Sequence, residues 1–111
     1  MLHKVIFQKR ARLQFQHICD YLVDEFGERV ADNFENEVEQ CVASLQKYPE
    51  SGHPEPIESH YFYRSKKVGK YNKMYYYVRS DTLVIAAFAD MRMHPDNVLK
   101  AVTTDFGSHS V

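Results

Sequence analysis

Between a short apolar strand and three closely spaced strand-like runs, this chain places two consecutive stretches of helical period. That order leaves few folds open. Val5, Ile6 and Phe7 mark the first strand, within residues 2–8. A first helix follows Lys9-Arg10-Ala11, with Leu13, Ile18, Leu22 and Phe26 as its predicted buried positions and Phe15 and Tyr21 beside that stripe. Gly27 stops it, because glycine accepts the backbone angles that end a helix. A second helix begins near Glu28, where Ala31, Phe34, Val38, Cys41 and Leu45 recur at intervals of three and four. With only Gly27 between them, the two helices must form an antiparallel hairpin.

Tyr48 to Pro56 holds three prolines and Gly52, so it cannot extend the helix or join a central strand, and it reads as an ordered loop. The three strand runs then carry Val68-Gly69-Lys70-Tyr71, Tyr75-Tyr76-Tyr77 and Leu83-Val84-Ile85. Side chains alternate along a strand, so Lys73, Tyr75, Tyr77 and Arg79 share one face while Met74, Tyr76 and Val78 take the other. Ser80-Asp81 makes a tight turn, and residues 82–89 are apolar enough for a central strand. Strands this close pair as an antiparallel meander, with the first strand joining at an edge. The expected fold is α+β, in the order β-α-α-β-β-β, with a helical hairpin on a four-stranded, mainly antiparallel sheet. Residues 1–95 make the domain and 96–111 a partly ordered tail, a helical turn and then a frayed end.

At 111 residues the chain can bury one core with little surplus. No apolar run approaches the roughly 20 residues that span a bilayer. Lys4, Lys9, Arg10 and Arg12 break any signal-peptide pattern, so a cytoplasmic location with no membrane partner is expected. Cys19 and Cys41 fall on separate helices and read as reduced core residues. The six histidines show no metal-ligand spacing, and no glycine-rich phosphate loop or Ser-His-Asp order is present, so no metal and no cofactor are expected. The net charge of −1 conceals segregation. Residues 20–58 carry eleven acids against two cations, while residues 59–111 carry eight cations against four acids. The strand layer therefore suits an anionic partner.

Taken together, these landmarks resemble the RelE/ParE family of bacterial type II toxins. The resemblance covers most of residues 3–95 and rests on Phe7 through Ala11 with Leu13, Ile18 and Tyr21, then Ala31, Phe34, Leu45, Pro49, Gly52, Val68-Gly69-Lys70-Tyr71, Tyr75, the apolar strand 83–88, Arg92 and Pro95. It implies a toxin that inhibits growth, serves in plasmid stabilisation and is neutralised by a cognate antitoxin. RelE-like members cut messenger RNA on the ribosome, and ParE-like members inhibit DNA gyrase. RNA cleavage needs groups that take up a proton, stabilise the phosphorane charge and protonate the leaving oxygen. The candidates here are Lys73, Arg92, Tyr75 and His94. RNA-cutting members usually carry arginine directly after the tyrosine that opens the third strand, whereas Asn72 follows Tyr71 here. Lys73 points to the opposite face. Ribosome-dependent members are also strongly basic, and this chain has a pI near 6.6. The resemblance is therefore closer to the ParE side, which implies binding rather than catalysis. Residues expected to meet the target or antitoxin are Arg64, Lys66, Lys67, Lys70, Lys73, Tyr75, Tyr77 and Arg92. For Arg92 the alternative is a salt bridge to an acid of the second helix. Two other readings stay open: a ribosome-dependent endoribonuclease, partnered by ribosome and messenger RNA, and a non-toxic binding partner. The oligomeric state, monomer or homodimer, is also open.

Overall fold

The computed structural model describes residues 1–103. Strand β1 (Lys4–Phe7) leads into helix α1 (Lys9–Phe26) and, through Gly27, helix α2 (Glu28–Lys47). A 3-10 turn (Pro49–Ser51) and strand β2 (His53–Pro54) precede β3 (Arg64–Val68), β4 (Asn72–Arg79), β5 (Thr82–Asp90) and helix α3 (Pro95–Thr103). The sheet order is β1-β5-β4-β3-β2, with β1 parallel to β5 and the other neighbours antiparallel. The α+β hairpin-on-meander expectation holds, and β1 lies at an edge as the sequence requires.

The sheet has five strands rather than four. The proline-rich loop supplies the fifth, a two-residue edge piece pairing with Arg64 and Ser65. Proline is tolerated there because the outer side of an edge strand needs no ladder donor. Internal bonds order the loop itself. Tyr76 donates its hydroxyl hydrogen to Pro49 O (2.6 Å) and accepts from Gly52 N–H (3.0 Å). The Arg64 guanidinium donates to the carbonyls of Glu50 and Gly52.

The hairpin covers one sheet face. Ala11, Phe34, Val38 and Leu45 pack there on Val68, Met74, Tyr76, Leu83, Ile85 and Phe88. On α2 the predicted stripe is the one buried. On α1 it is shifted, since Leu13 and Phe26 are exposed while Ala11, Phe15, Ile18, Cys19 and Leu22 face the core. That set still has helical period (i, i+4, i+7, i+8, i+11) but is rotated away from the face Leu13 suggested.

The second sheet face is also covered, which the sequence did not announce. Tyr63, Tyr75, Tyr77, Val84, Ala86, Ala87 and Ala89 form a second core with Val102, and Val98 and Ala101 of α3 pack against it. A bulge in β5 makes this possible. Tyr75 pairs with Ala87 and Tyr76 with Ile85, leaving Ala86 as the extra residue. Ala86 and Ala87 then both face α3 while Phe88 returns to the hairpin side. The stretch expected to be a helical turn is thus a docked helix as far as Thr103. The frayed end expected beyond it lies outside the described residues.

Helix α1 reaches around the free edge of β5 to hold α3. Gln14 accepts a hydrogen bond from Phe88 N–H (2.8 Å) and donates to Ala101 O (2.9 Å). Arg10, buried at 7% exposure, donates to Val102 O. A cation at the last carbonyls of α3 also complements the helix dipole.

Gly69 sits at φ +65 in the β3–β4 turn, where a Cβ would come within 2.9 Å of the Phe34 ring. Gly69→Ala combines a left-handed backbone with overpacking and should cost about 2–4 kcal/mol in urea unfolding. Gly27→Ala, at φ +93 but facing open space, should cost less, about 1–2 kcal/mol. Equal losses at the two sites would contradict the packing argument.

Candidate functional site

Strand alternation divides the expected contact residues between both faces of the sheet and its rim. Arg64 and Lys66 point toward α2, opposite Tyr76 and Met74. Lys67 and Lys73 are direct cross-strand partners on the α3 side. Like charges in that relation repel, and Glu55 relieves them. Its Oε2 lies 3.2 Å from Lys73 Nζ and accepts from Ser65 Oγ at 2.6 Å. Lys70 occupies the exposed β3–β4 turn, 5.4 Å from the Tyr71 ring centre.

Tyr75 and Tyr77 are not surface groups, being 4% and 3% exposed. They share a strand face with Lys73 and Arg79, but α3 and the Tyr61–Tyr63 segment cover them. Tyr61 stacks on Tyr77 at 4.1 Å and Tyr63 meets it edge-on at 5.3 Å. Gln8 Nε2 donates to the Tyr77 hydroxyl at 3.1 Å. Burial, with the Glu55 charge adding, pushes the Tyr75 phenol up to about 12. Burial raises Tyr76 and Tyr77 as well.

Arg92 lies at the rim, just past β5. Its Nε and Nη2 fork onto the Asp90 carboxylate at 3.0 and 2.6 Å, and its backbone N–H bonds to the same group at 2.8 Å. Its guanidinium also stacks 3.9 Å from the Tyr71 ring centre. These hydrogen bonds hold the Asp90 carboxyl below the usual range. The partner acid is therefore on β5 and not on the second helix. The Asp-x-Arg spacing was the signal for it, because the chain turns back on itself immediately after β5. His94 caps α3: its Nδ1 accepts from Asp96 N–H at 3.2 Å, and its carbonyl accepts from Asn97 and Val98. With Pro95 at the first helical position, this is a helix N-terminus of the usual kind.

The four groups expected for RNA cleavage therefore have four separate engagements: Lys73 with Glu55, Tyr75 in the core, Arg92 with Asp90 and His94 at a helix cap. Elsewhere, a groove of about 320 Å³ opens between β1, α1 and α2, lined by Phe7, Phe15, Val38, Val42 and Ala43 together with Glu35 and Glu39. Cys19 and Cys41 are free, and burial raises both thiols. Among the described residues no cluster of three His, Cys, Asp or Glu could hold a metal ion. No described helix is long and apolar enough to cross a membrane.

The family model for the ParE toxin of the type II toxin-antitoxin system, parDE, matches residues 5–95. The chain belongs to the ParE toxin family. Its fold is similar to that of a structure described as the chromosomal ParDE TA system from P. aeruginosa, with a TM-score of 0.61 and 18% identity over 76% of this chain and 90% of that one. A comparison with curated proteins found no match.

In this ParE toxin the buried phenol ties stability to alkaline pH. Tyrosine ionises near pH 10 when unfolded, so the stability carried by a neutral Tyr75 is fully present below pH 10. It is lost as the pH rises toward about 12. That contribution amounts to about 2–3 kcal/mol. Urea midpoints measured from pH 8 to 12 should fall less steeply for Tyr75→Phe than for the parent. Some slope should remain, because Tyr76 and Tyr77 shift in the same direction. Identical slopes would show that Tyr75 is hydrated.

Proposed function

We propose that this ParE toxin arrests growth by binding DNA gyrase, with no catalysis of its own, and that a cognate antitoxin neutralises it. Family membership supports the toxin–antitoxin role. The separate engagement of Lys73, Tyr75, Arg92 and His94 is the observation that favours binding over RNA cleavage. General acid–base chemistry needs groups that exchange protons near neutral pH and converge on one reacting centre. A sealed phenol raised to about 12 does neither.

Two surface features fit an antitoxin segment. The apolar groove of Phe7, Phe15, Val38 and Val42 would take apolar side chains from a helical or extended segment. Past Ser65, the outer edge of β3 has no β2 partner and carries Lys66 and Lys67, with Lys70 in the next turn. An acidic strand or loop would complement those charges. Near Glu35 and Glu39 the same partner should be basic.

The test is supercoiling of relaxed plasmid by purified gyrase. Added toxin should suppress it, and prior mixing with antitoxin should restore it. Tyr75→Phe, which removes only a buried oxygen, should inhibit within about twofold of the parent. Undisturbed supercoiling, together with messenger RNA cleavage in a ribosome assay that Tyr75→Phe abolishes, would instead establish the endoribonuclease reading.

A further inference from the structure

Three exposed aromatic residues, Tyr21, Phe26 and Tyr71, lie between the hairpin end and the end of β5, apart from the exposed Tyr48 and Phe62. At the hairpin end, Phe26 is 61% and Tyr21 54% exposed, and their rings meet edge-on at 6.2 Å. The Tyr21 phenol lies within electrostatic reach of Arg92. Arg92 stacks on Tyr71, which is itself 38% exposed. Met91 follows, 39% exposed, its N–H bonded to the Tyr71 carbonyl. The strip therefore runs from the hairpin tip to the end of β5 through Phe26, Tyr21, Arg92, Tyr71 and Met91.

Single exposed apolar residues are ordinary. Two neighbouring clusters of Phe, Tyr, Arg and Met are not, because these are the residue types that anchor protein interfaces. The arginine is also held in place before any partner arrives. Its fork on Asp90 and its stack on Tyr71 fix its orientation, so binding orders little that is not already ordered.

Charge identifies the kind of partner. Asp20, Asp24, Glu25 and Glu28 are exposed around the hairpin end against Arg29, Lys70 lies on the strand side beside Tyr71, and the Arg92 charge is already matched by Asp90. The border of the strip is thus acidic on the helical side. Nucleic acid would be repelled there, and a protein surface with apolar pockets among basic side chains would fit. Enzymes that hold DNA present such basic surfaces.

We propose that this strip is the target-docking surface of the toxin, and that it engages a basic, DNA-contacting face of its protein target. It is separate from the antitoxin groove and meets the antitoxin's lysine edge only at Lys70, beside the Tyr71 ring. This inference rests on the gyrase reading above.

The experiment compares the parent, Tyr21→Ala with Phe26→Ala, and Asp24→Lys with Glu25→Lys in gyrase supercoiling, in growth arrest on induction, and in affinity for the antitoxin. All four substituted side chains are exposed, and unchanged thermal midpoints would confirm folding. Each double variant should need about tenfold more protein to inhibit. Antitoxin affinity should stay within about twofold of the parent. Inhibition by the parent should weaken with added salt and with excess DNA.

Parent-like inhibition by both variants would overturn the strip and leave gyrase as the target. Equal loss of antitoxin affinity would also overturn it, reassigning the strip to the antitoxin. If the parent spares gyrase yet its growth arrest is lost in both variants, the gyrase reading fails while the strip stands as a docking surface. A parent that arrests no growth would overturn both.

Discussion

Strand β5 is buried on both faces from Thr82 through Ala89, and the rest of the molecule answers that constraint. A strand with no wet face needs a covering layer on each side. The hairpin supplies one and α3 the other. Because β5 is short of side chains large enough to fill both layers, alanines face α3 and the bulky residues of β4, Tyr75 and Tyr77, fill the space beside them. The bulge at Ala86 reconciles the two layers by returning Phe88 to the hairpin core, where it meets Phe7 and Phe15.

Burying β5 also creates an edge problem that α1 solves. Strand β1 pairs only with residues 82–85, so the outer backbone of β5 beyond that point needs other partners. Gln8 donates its backbone N–H to Ile85 O, and Gln14 accepts from Phe88 N–H. The same Gln14 and its neighbour Arg10 then hold the last carbonyls of α3. One turn and a half of α1 thus closes the sheet edge and fixes the second cover, which is why the polar residues early in that helix are structural. Charged groups that the interior cannot accept are left at the rim.

Much of this was legible in the sequence because it follows from local periodicity. The α2 stripe, the stop at Gly27 and the three-strand meander all come from side-chain spacing within a dozen residues. What escaped depends on distant partners. His53–Pro54 becomes a strand only because β3 lies beside it, and no two-residue segment announces a pairing. Tyr75 and Tyr77 look like an amphipathic surface until α3 is placed over them. Nothing local in residues 95–103 shows that Arg10 and Gln14 will clasp that helix. The place of Arg92 after the apolar strand suggests an acid of α2 as its partner, whereas Asp90, two residues away, takes it. Tyr21 lies beside the apolar stripe in the sequence, and only the packing of the hairpin turns it outward.

The candidate site accordingly changes character. Lys73, Tyr75 and Tyr77 do share one strand face as their alternation requires, but α3 seals the two tyrosines, Glu55 pairs Lys73, and Arg64 and Lys66 lie on the other face. The rim and groove that remain support the proposed binding mechanism. The most direct test is to label DNA and protein synthesis separately in the minutes after toxin induction without antitoxin. The account predicts that DNA synthesis falls first while protein synthesis continues. A prompt halt of protein synthesis, with DNA synthesis initially intact, would contradict it.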